Sequence, residues 1–315
     1  MSKFIYNEQG KLDLAEMRTN STLPTDAYKF YDDKLVKVAK QELRIVQDCV
    51  EAGLVDNSLN LGDTIVSYDK LADMSEAEAS MDGITRSQNG ALTFNQAGVP
   101  VPVYRKDFEL DQRRIQAVLG RGSMSLPTTG LELATRKVAE KINSVCWNGF
   151  GKSVNGMELN GLRNSSGVNT KTAVAPWGGG SENPMTDIQE MIKELQTDGY
   201  GFTENSCILY VSPDNWGYID NDYSTAKGEK TYKQRFEAFA PIRKVELGSG
   251  LGDGECILVE MRSDVLELKV AQDITFYELP QVDPMLSQFS VIGSMALIVK
   301  SDYNGNSGVA YLTGA

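Results

Sequence analysis

The sequence predicts an α+β protein in which one long helix packs against β-sheet. The helix is indicated by apolar residues that recur at steps of three and four between Leu131 and Val145. The sheet is indicated by two short aliphatic runs, at 207–213 and 255–261, and by the chain from Val265 onward, where Val, Ile, Leu and Tyr dominate. A chain of 315 residues can bury a large core, as one complex domain or as two lobes.

The long helix is predicted over 129–147, with a capping box that starts at Thr129. It leads into 147–156, WNGFGKSVNG, where Gly-Lys-Ser looks like part of a phosphate-binding loop. Such a loop needs a glycine five positions before Gly151, where this chain has Cys146, and it opens a helix instead of ending one. The stretch is therefore predicted to be a turn that terminates the helix.

The composition argues against several functional classes. There is no histidine, which removes Ser-His-Asp and Cys-His arrangements and most zinc sites, and we predict no catalytic residue, cofactor or metal. The chain has 31 basic and 43 acidic residues, so it does not present a phosphate-gripping surface over its whole face. Four cysteines without a C-x-x-C pair read as small buried hydrophobes in a reducing compartment. No signal peptide or membrane span is evident, so we expect a soluble protein without membrane contact.

Two segments are predicted to lie on another surface instead of forming a core of their own. A helix is predicted over about 26–52, flanked by polar chain and ended by Gly53. An extended hairpin is predicted over 62–104, with strand-like runs at 64–68 and 99–104 around a long acidic middle. A lone two-stranded hairpin is marginally stable, so we expect both segments to lie on a neighbouring surface.

The rest of the chain supplies a second helix and an irregular region. Thr186 and Gln189 form a capping box for a helix from Met185 that Gly199 ends. Residues 216–254, between the two aliphatic runs, are polar and glycine-rich and are predicted to be an irregular excursion.

Four stretches follow one another in a specific order along the chain. They are VYRKDFELDQRRIQ (103–116), the helix end and glycine turn KVAEKINSVCWNGFGKSVNGMELNGLRN (137–164), SCILYVSPDNW (206–216), and the closing strands (273–281 and 289–314). In this order they resemble the major capsid proteins of tailed bacteriophages, whose fold is shared with encapsulin shell proteins. The resemblance implies a tailed-phage major capsid fold with an N-terminal arm, an extended β-hairpin loop, a peripheral domain with a spine helix, and an axial domain.

The resemblance also implies a division of the chain. The expected parts are the N-terminal arm, 1–61; the extended loop, 62–104; the peripheral domain, 105–204, with the spine helix at 129–147; the axial domain, 205–261; peripheral-domain strands, 262–302; and a C-terminal strand that returns to the axial domain, 303–315.

The function that the resemblance implies is assembly and not catalysis. Copies would self-assemble as hexamers and pentamers into the icosahedral head shell around a double-stranded DNA genome, with non-specific contact to the packaged DNA. Portal and decoration proteins and a separate scaffolding protein are further partners that it implies. The expected location is the virion capsid, assembled in the host bacterial cytoplasm.

An encapsulin-type nanocompartment, whose shell encloses a cargo enzyme, is the alternative with the same fold. Encapsulins tend to have a short inner helix at the N-terminus, whereas some 60 residues precede the predicted hairpin here. This difference favours the viral interpretation.

Charge distribution indicates how copies could recognise one another. The predicted hairpin, 62–104, has six acidic and two basic residues, whereas 105–137 has seven basic and four acidic residues. In the family the extended loop of one subunit lies across the spine-helix domain of the next, so opposite charges would select partner and register. A solvated acidic surface is the alternative. The candidate intersubunit residues are Asp69, Lys70, Asp73, Glu76, Glu78, Arg86, Arg105, Lys106, Arg113, Arg114 and Arg121.

Two further hypotheses depend on single clusters. Lys70 and Asn304 could be joined by the lysine-asparagine isopeptide bond that some shells in this family form, although no buried acidic base can be placed from the sequence. Asp214, Asp220 and Asp222, beside two aromatic residues, could serve an enzyme that uses carboxylates, although such clusters are more often loop surfaces.

Overall fold

The structure is a computed structural model that describes residues 43–71, 81, 94–111, 113, 125–178, 184–221, 230–280, 285–302 and 304–315. Within these residues we number five helices and 13 strands in chain order. The helices are α1 (Arg44–Glu51), α2 (Ser125–Asn148), α3 (Pro184–Thr197), α4 (Pro213–Ile219) and α5 (Tyr232–Phe236). The strands are β1 (Val55–Asp56), β2 (Ile65–Leu71), β3 (Phe94–Pro100), β4 (Val103–Asp111), β5 (Ser153–Val154), β6 (Met157–Glu158), β7 (Asn169–Thr172), β8 (Cys207–Val211), β9 (Ile242–Leu247), β10 (Cys256–Glu260), β11 (Leu266–Glu278), β12 (Leu286–Val299) and β13 (Val309–Thr313).

A four-stranded sheet in the order β1-β11-β12-β4 carries the long helix α2, and we call this unit the four-stranded lobe. Its centre is the antiparallel pair β11 and β12, which runs from the Leu266–Val299 pair to the Glu278–Phe289 pair. The buried face of α2 consists of the residues whose spacing predicted the helix: Leu131, Ala134, Val138, Ile142 and Val145. This face packs on β4 and β12.

Three phenylalanines line the four-stranded sheet beneath the start of α2. Phe289 of β12 is stacked between Phe108 of β4 and Phe276 of β11, with ring centroids 5.3 and 5.4 Å apart. Gly130 of α2 lies above Phe108, and a Cβ at this glycine would come within 3.0 Å of the ring. The glycine therefore allows the helix backbone to approach the aromatic layer closely.

A five-stranded sheet in the order β7-β13-β10-β8-β9 forms the second unit, which we call the five-stranded lobe together with α3, α4 and α5. Strands β8 and β10 are buried along their whole length, as their unbroken aliphatic sequences predicted. Strand β7 and helix α3 fall before residue 205, where the sequence division begins the axial domain. The structure nevertheless pairs β7 with β13 and packs α3 on the same strand.

The glycine turn after α2 joins the helix to the rest of the molecule. Gly149 has φ +79°, and a Cβ on it would lie 2.6 Å from the carbonyl oxygen of Leu159. The chain closes on the helix end through hydrogen bonds from the Leu162 and Arg163 N–H groups to the carbonyls of Cys146 and Trp147. The prediction of a helix-terminating turn at 147–156 is confirmed, because these glycines supply the positive φ values that end the helix.

Several predicted boundaries differ from those in the structure. Helix α2 begins at Ser125 and not at Thr129, since Pro127 is compatible with the first turn of a helix. The run 99–104 is divided between β3 and β4, and the two residues between them include Pro102, which has no N–H to donate. Of the helix predicted over 26–52, Arg44–Glu51 is described and 26–42 lie outside the described residues.

The prediction that 216–254 is irregular was wrong. The region contains α5 and β9, and Phe236 and Ile242 bury their side chains almost completely. Buried residues are sparse here and are separated by polar positions, so neither the helical nor the strand period stands out.

The four cysteines are free and buried, as predicted. Burial raises the pKa of each thiol, to about 12 for Cys146 and about 11 for Cys207. Among the described residues, no helix is long and apolar enough to cross a membrane.

Replacing Phe289 by alanine tests the aromatic layer. We expect Phe289→Ala to destabilise the unassembled subunit by about 3 to 5 kcal/mol, because a fully buried ring stacked on two others is lost. Urea unfolding followed by circular dichroism measures the change. Tyr277→Ala is the control, since Tyr277 lies on β11 with 43% of its surface exposed and should cost less than about 1 kcal/mol. Equal destabilisation by both changes would contradict the assignment of the layer to the core.

Candidate assembly surfaces

The predicted extended hairpin is present as an isolated two-stranded sheet. Strands β2 and β3 are antiparallel, from the Ile65–Pro100 pair to the Leu71–Phe94 pair, and among the described residues they pair with no other strand. The N–H of Val101 donates to the carbonyl of Thr64 at 2.9 Å and closes the root of the hairpin. A pair of strands with both edges open is a ready acceptor for contacts from another chain.

The root of the hairpin rests on a second, small hairpin. Strand β3 lies against β6, and a Cβ on Gly98 would approach the Sδ of Met157 to 2.1 Å. The turn between β5 and β6 is Asn155-Gly156, with φ values of +53° and +77°, which suit a two-residue hairpin. The direction of the larger hairpin is therefore set by close contact at Gly98, a feature that the sequence analysis missed.

The structure divides the candidate intersubunit residues into three groups. Asp69 and Lys70 lie on β2, opposite Gln96 and Asn95 in the backbone register. Six candidates lie outside the described residues: Asp73, Glu76, Glu78, Arg86, Arg114 and Arg121. The remaining three can be placed: Arg105, Lys106 and Arg113.

Arg105 is compensated within its own strand. Its Nε donates to the Asp107 carboxylate at 2.7 Å, and both side chains are about half exposed. This hydrogen bond raises the pKa of Arg105 and lowers the pKa of Asp107. An exposed pair of this kind adds little stability, but it leaves little net charge for a partner.

Helix α2 compensates two more of the basic residues in the segment 105–137. Arg136 and Lys137 both bind the Glu140 carboxylate, at 3.2 and 2.6 Å. Glu140 lies three residues beyond the segment whose charges the sequence analysis counted, so the positive excess there was overestimated. The i,i+3 and i,i+4 spacing is the sequence signal that could have revealed these pairs.

Lys106 and Arg113 remain as exposed cations. Within the described part of the chain neither side chain has an ion pair, although the backbone N–H of Arg113 donates to the Asp111 carboxylate at 2.9 Å. Lys106 lies on β4, the edge strand of its sheet. These two side chains are the candidates that stay available to an acidic element of another copy.

The acidic cluster proposed for an enzyme is used for local structure. Asp214 accepts hydrogen bonds from the Ser212 hydroxyl at 2.5 Å and from the N–H of Gly254 at 3.0 Å, which ties the start of α4 to the loop before β10. Asp220 is exposed at the end of α4, and Asp222 lies outside the described residues. The described residues contain no group of three or more His, Cys, Asp or Glu side chains that could hold a metal ion.

The hypothesis of an isopeptide bond between Lys70 and Asn304 stays a prediction. Asn304 is exposed in the turn between β12 and β13, as an accessible crosslinking residue would be. Lys70 lies on β2, but its side chain is not among those described.

The two lobes and the two-stranded hairpin form a fold that is shared with solved capsid structures. "The capsid of Myoviridae Phage XM1" matches with a TM-score of 0.63 and 14% identity, over 84% of this chain and 91% of that chain. The "virus-like particle from Pyrococcus furiosus" matches with a TM-score of 0.56 and 13% identity, over 90% and 99%. The "capsid of empty GTA particle" matches with a TM-score of 0.59 and 12% identity, over 83% and 87%.

By sequence, the chain belongs to the family described as "Family of unknown function (DUF6260)", whose model matches residues 17–312. No curated protein matches the chain.

Replacing Gly98 tests the contact between β3 and β6 that positions the hairpin. We expect Gly98→Val to destabilise the subunit by about 1 to 3 kcal/mol, because the new side chain must displace Met157. Limited proteolysis should also cut the 62–104 segment faster. Gly62→Val is the matched control, since a Cβ there meets no atom within 4 Å. Equal proteolysis of both variants would show that β6 does not hold the hairpin.

Proposed function

We propose that this chain is the major capsid protein of a tailed bacteriophage, a structural subunit that self-assembles into the icosahedral shell around a double-stranded DNA genome. The observation that carries the proposal is the hairpin of β2 and β3, which pairs with no other strand among the described residues. A two-stranded ribbon needs further packing to be stable, and another copy of the chain can supply it.

The structural neighbours support this proposal. Capsids of a Myoviridae phage and of a GTA particle share the fold over more than four fifths of this chain. In the proposed assignment the five-stranded lobe is the axial domain, the four-stranded lobe with α2 is the peripheral domain, and the C-terminal strand β13 returns to the axial domain. Hexamers and pentamers, a virion location and contacts with portal, scaffolding or decoration proteins belong to the same proposal.

An encapsulin-type shell is the second candidate function. It is favoured by the particle from Pyrococcus furiosus, because 99% of that chain is covered by the match. Both candidates require self-assembly, and they differ in particle size and in content. The proposal assigns no reaction to the chain in either case.

Microscopy of the protein, expressed alone and together with its genomic neighbours, tests the proposal. We expect closed shells or tubes, because the hairpin and the lobes provide the surfaces for repeated contacts. A head of genome size filled with DNA supports the phage assignment, whereas a small compartment that holds an enzyme supports the encapsulin assignment. A uniform monomer under both conditions would refute self-assembly.

We further propose that the acidic hairpin of one copy lies near Lys106 and Arg113 of the next. Each exposed pair gives only about 0 to 1 kcal/mol, so such pairs select the partner while apolar and backbone contacts provide adhesion. The repetition of one contact over many subunits makes a small change per copy visible in the yield of shells.

The double variant Lys106→Glu with Arg113→Glu tests this contact. We expect a lower yield of shells with an unchanged melting temperature of the subunit, because both side chains are exposed and have no ion pair to lose within the described part of the chain. Sedimentation measures the yield. Lys193→Glu with Lys230→Glu is the matched control, since these exposed lysines lie in the five-stranded lobe or next to it. Shells at the parental yield from the first variant would rule out the contact.

A further inference from the structure

A short segment, 43–56, attaches to both lobes, and we call it the strap. It consists of α1, a turn at Gly53 and β1. Ile45 and Cys49 of α1 are completely buried in the core. The strap is therefore an integral part of the subunit. Helix α1 packs on α2 and β11 of the four-stranded lobe and also reaches the five-stranded sheet through polar contacts.

The first end of the strap is held by one buried carboxylate. Asp48, with 4% of its surface exposed, accepts hydrogen bonds from the Tyr210 hydroxyl and from the Lys244 ammonium group. Tyr210 belongs to β8 and Lys244 to β9, so both donors come from the five-stranded sheet. Two charge-assisted hydrogen bonds to one buried side chain fix both the distance and the orientation of α1 relative to this sheet.

More exposed ion pairs surround this carboxylate. Arg44 pairs with Glu246 at 3.1 Å, and Glu51 pairs with Lys244 at 3.5 Å. The Glu51 side chain is 55% exposed, so its pair is screened by solvent and holds the helix weakly. The hydrogen bonds of Asp48 are therefore the contacts that orient α1 on the five-stranded sheet.

The second end of the strap joins the four-stranded sheet. Strand β1 pairs in parallel with β11, and the N–H of Leu268 donates to the carbonyl of Leu54 at 2.8 Å. Asp56 binds the ammonium group of Lys269, and this hydrogen bond lowers the pKa of Asp56 to about 2. The carboxylate is therefore ionised, and the pair intact, at neutral pH.

The lobes also meet at the end of α2. Trp147 packs edge-on against Tyr210, with ring centroids 5.2 Å apart, and Gly250 lies against the indole. Asn143 of α2 also donates a hydrogen bond to Ser249 at 3.0 Å, so one polar contact accompanies the apolar packing of this junction. A further attachment limits how far one lobe can turn relative to the other. The strap provides one, through Tyr210 at the junction and through Lys244 on the neighbouring strand β9. Asp48 and Asp56 are only eight positions apart in the sequence, so the strap is short.

We propose that the strap fixes the angle between the two lobes and that Asp48 is its positioning residue, so that the strap determines the curvature and hence the diameter of the assembled shell. The inference rests on the proposed shell function, because the angle within a subunit becomes visible when many copies close into one surface. Asp48 contacts no partner in this scheme and acts through Tyr210 and Lys244.

The variant Asp48→Asn tests the proposal with a nearly isosteric change. The amide can still accept a bond from Tyr210, but it loses the ion pair with Lys244. We expect shells that have lost the single diameter of the parent and are mixed with tubes or open sheets, measured by electron microscopy of the full chain. Glu51→Gln is the matched control, because it removes a carboxylate that contacts the same lysine from the same helix but is exposed. It should give parental shells.

Shells of one parental diameter from Asp48→Asn would overturn the proposal. If Asp48→Asn fails to fold, Asp56→Asn replaces it, since Asp56 is partly exposed and releases the other end of the strap. The same loss of uniform diameter is expected, and uniform parental shells would again overturn the proposal.

A failure of the proposed shell function can be distinguished from a failure of the strap proposal. If the parent chain itself forms no shells, the proposed function fails, and small-angle X-ray scattering of the parent and Asp48→Asn subunits then tests the strap alone. A changed scattering profile for Asp48→Asn, with a parental profile for Glu51→Gln, supports the strap. Superimposable profiles for all three proteins reject it.

Discussion

The close contact between the end of α2 and the five-stranded sheet is the constraint on which the rest of the structure depends. Trp147 is almost completely buried, and its contacts with Tyr210 and Gly250 restrict the orientation of its indole ring. The glycine turn then folds the chain back on the helix end. A larger residue at Gly250 would collide with the indole and separate the lobes. The long helix thereby serves both units: its apolar face forms the core of one, and its last turn joins the other.

Several surface cations have a carboxylate partner nearby in the sequence, whereas others, such as Lys106 and Lys193, have no ion pair among the described residues. Arg105, Arg136 and Lys137 have carboxylates two to four residues away in the sequence. Such local pairs add little to folding but prevent indiscriminate attraction between identical acidic chains. In this view the informative charges of an assembling protein are those without a local partner, and they are fewer than a count along the sequence indicates.

Elements with a strong local pattern could be predicted from the sequence. The face of α2 repeats at helical spacing, and β8 and β10 are continuous apolar runs, so each pattern alone identifies its element. Strand β7, with the sequence NTKT, has no such pattern, because it depends on pairing with β13 and on Lys171 binding carboxylates of α3. The contact between Asp48 and Lys244 joins residues 196 positions apart, and no rule of local spacing can reveal it. The candidate surfaces were predictable in part. The polarity of the hairpin sequence predicted the hairpin, but it predicted neither the contact with Met157 nor the ion pairs within the segment 105–137.

Burial of the four thiols has a practical consequence for the chemistry of the protein. A thiol whose pKa lies several units above neutral contains almost no thiolate, and a thiol in the core is also out of reach of reagents. The native protein is therefore nearly inert toward maleimides and similar electrophiles. A single cysteine introduced at an exposed position would be modified selectively, and each copy in an assembly would then carry one label at the same place. Dyes, peptides or catalysts could be displayed at a spacing that the symmetry of the assembly determines.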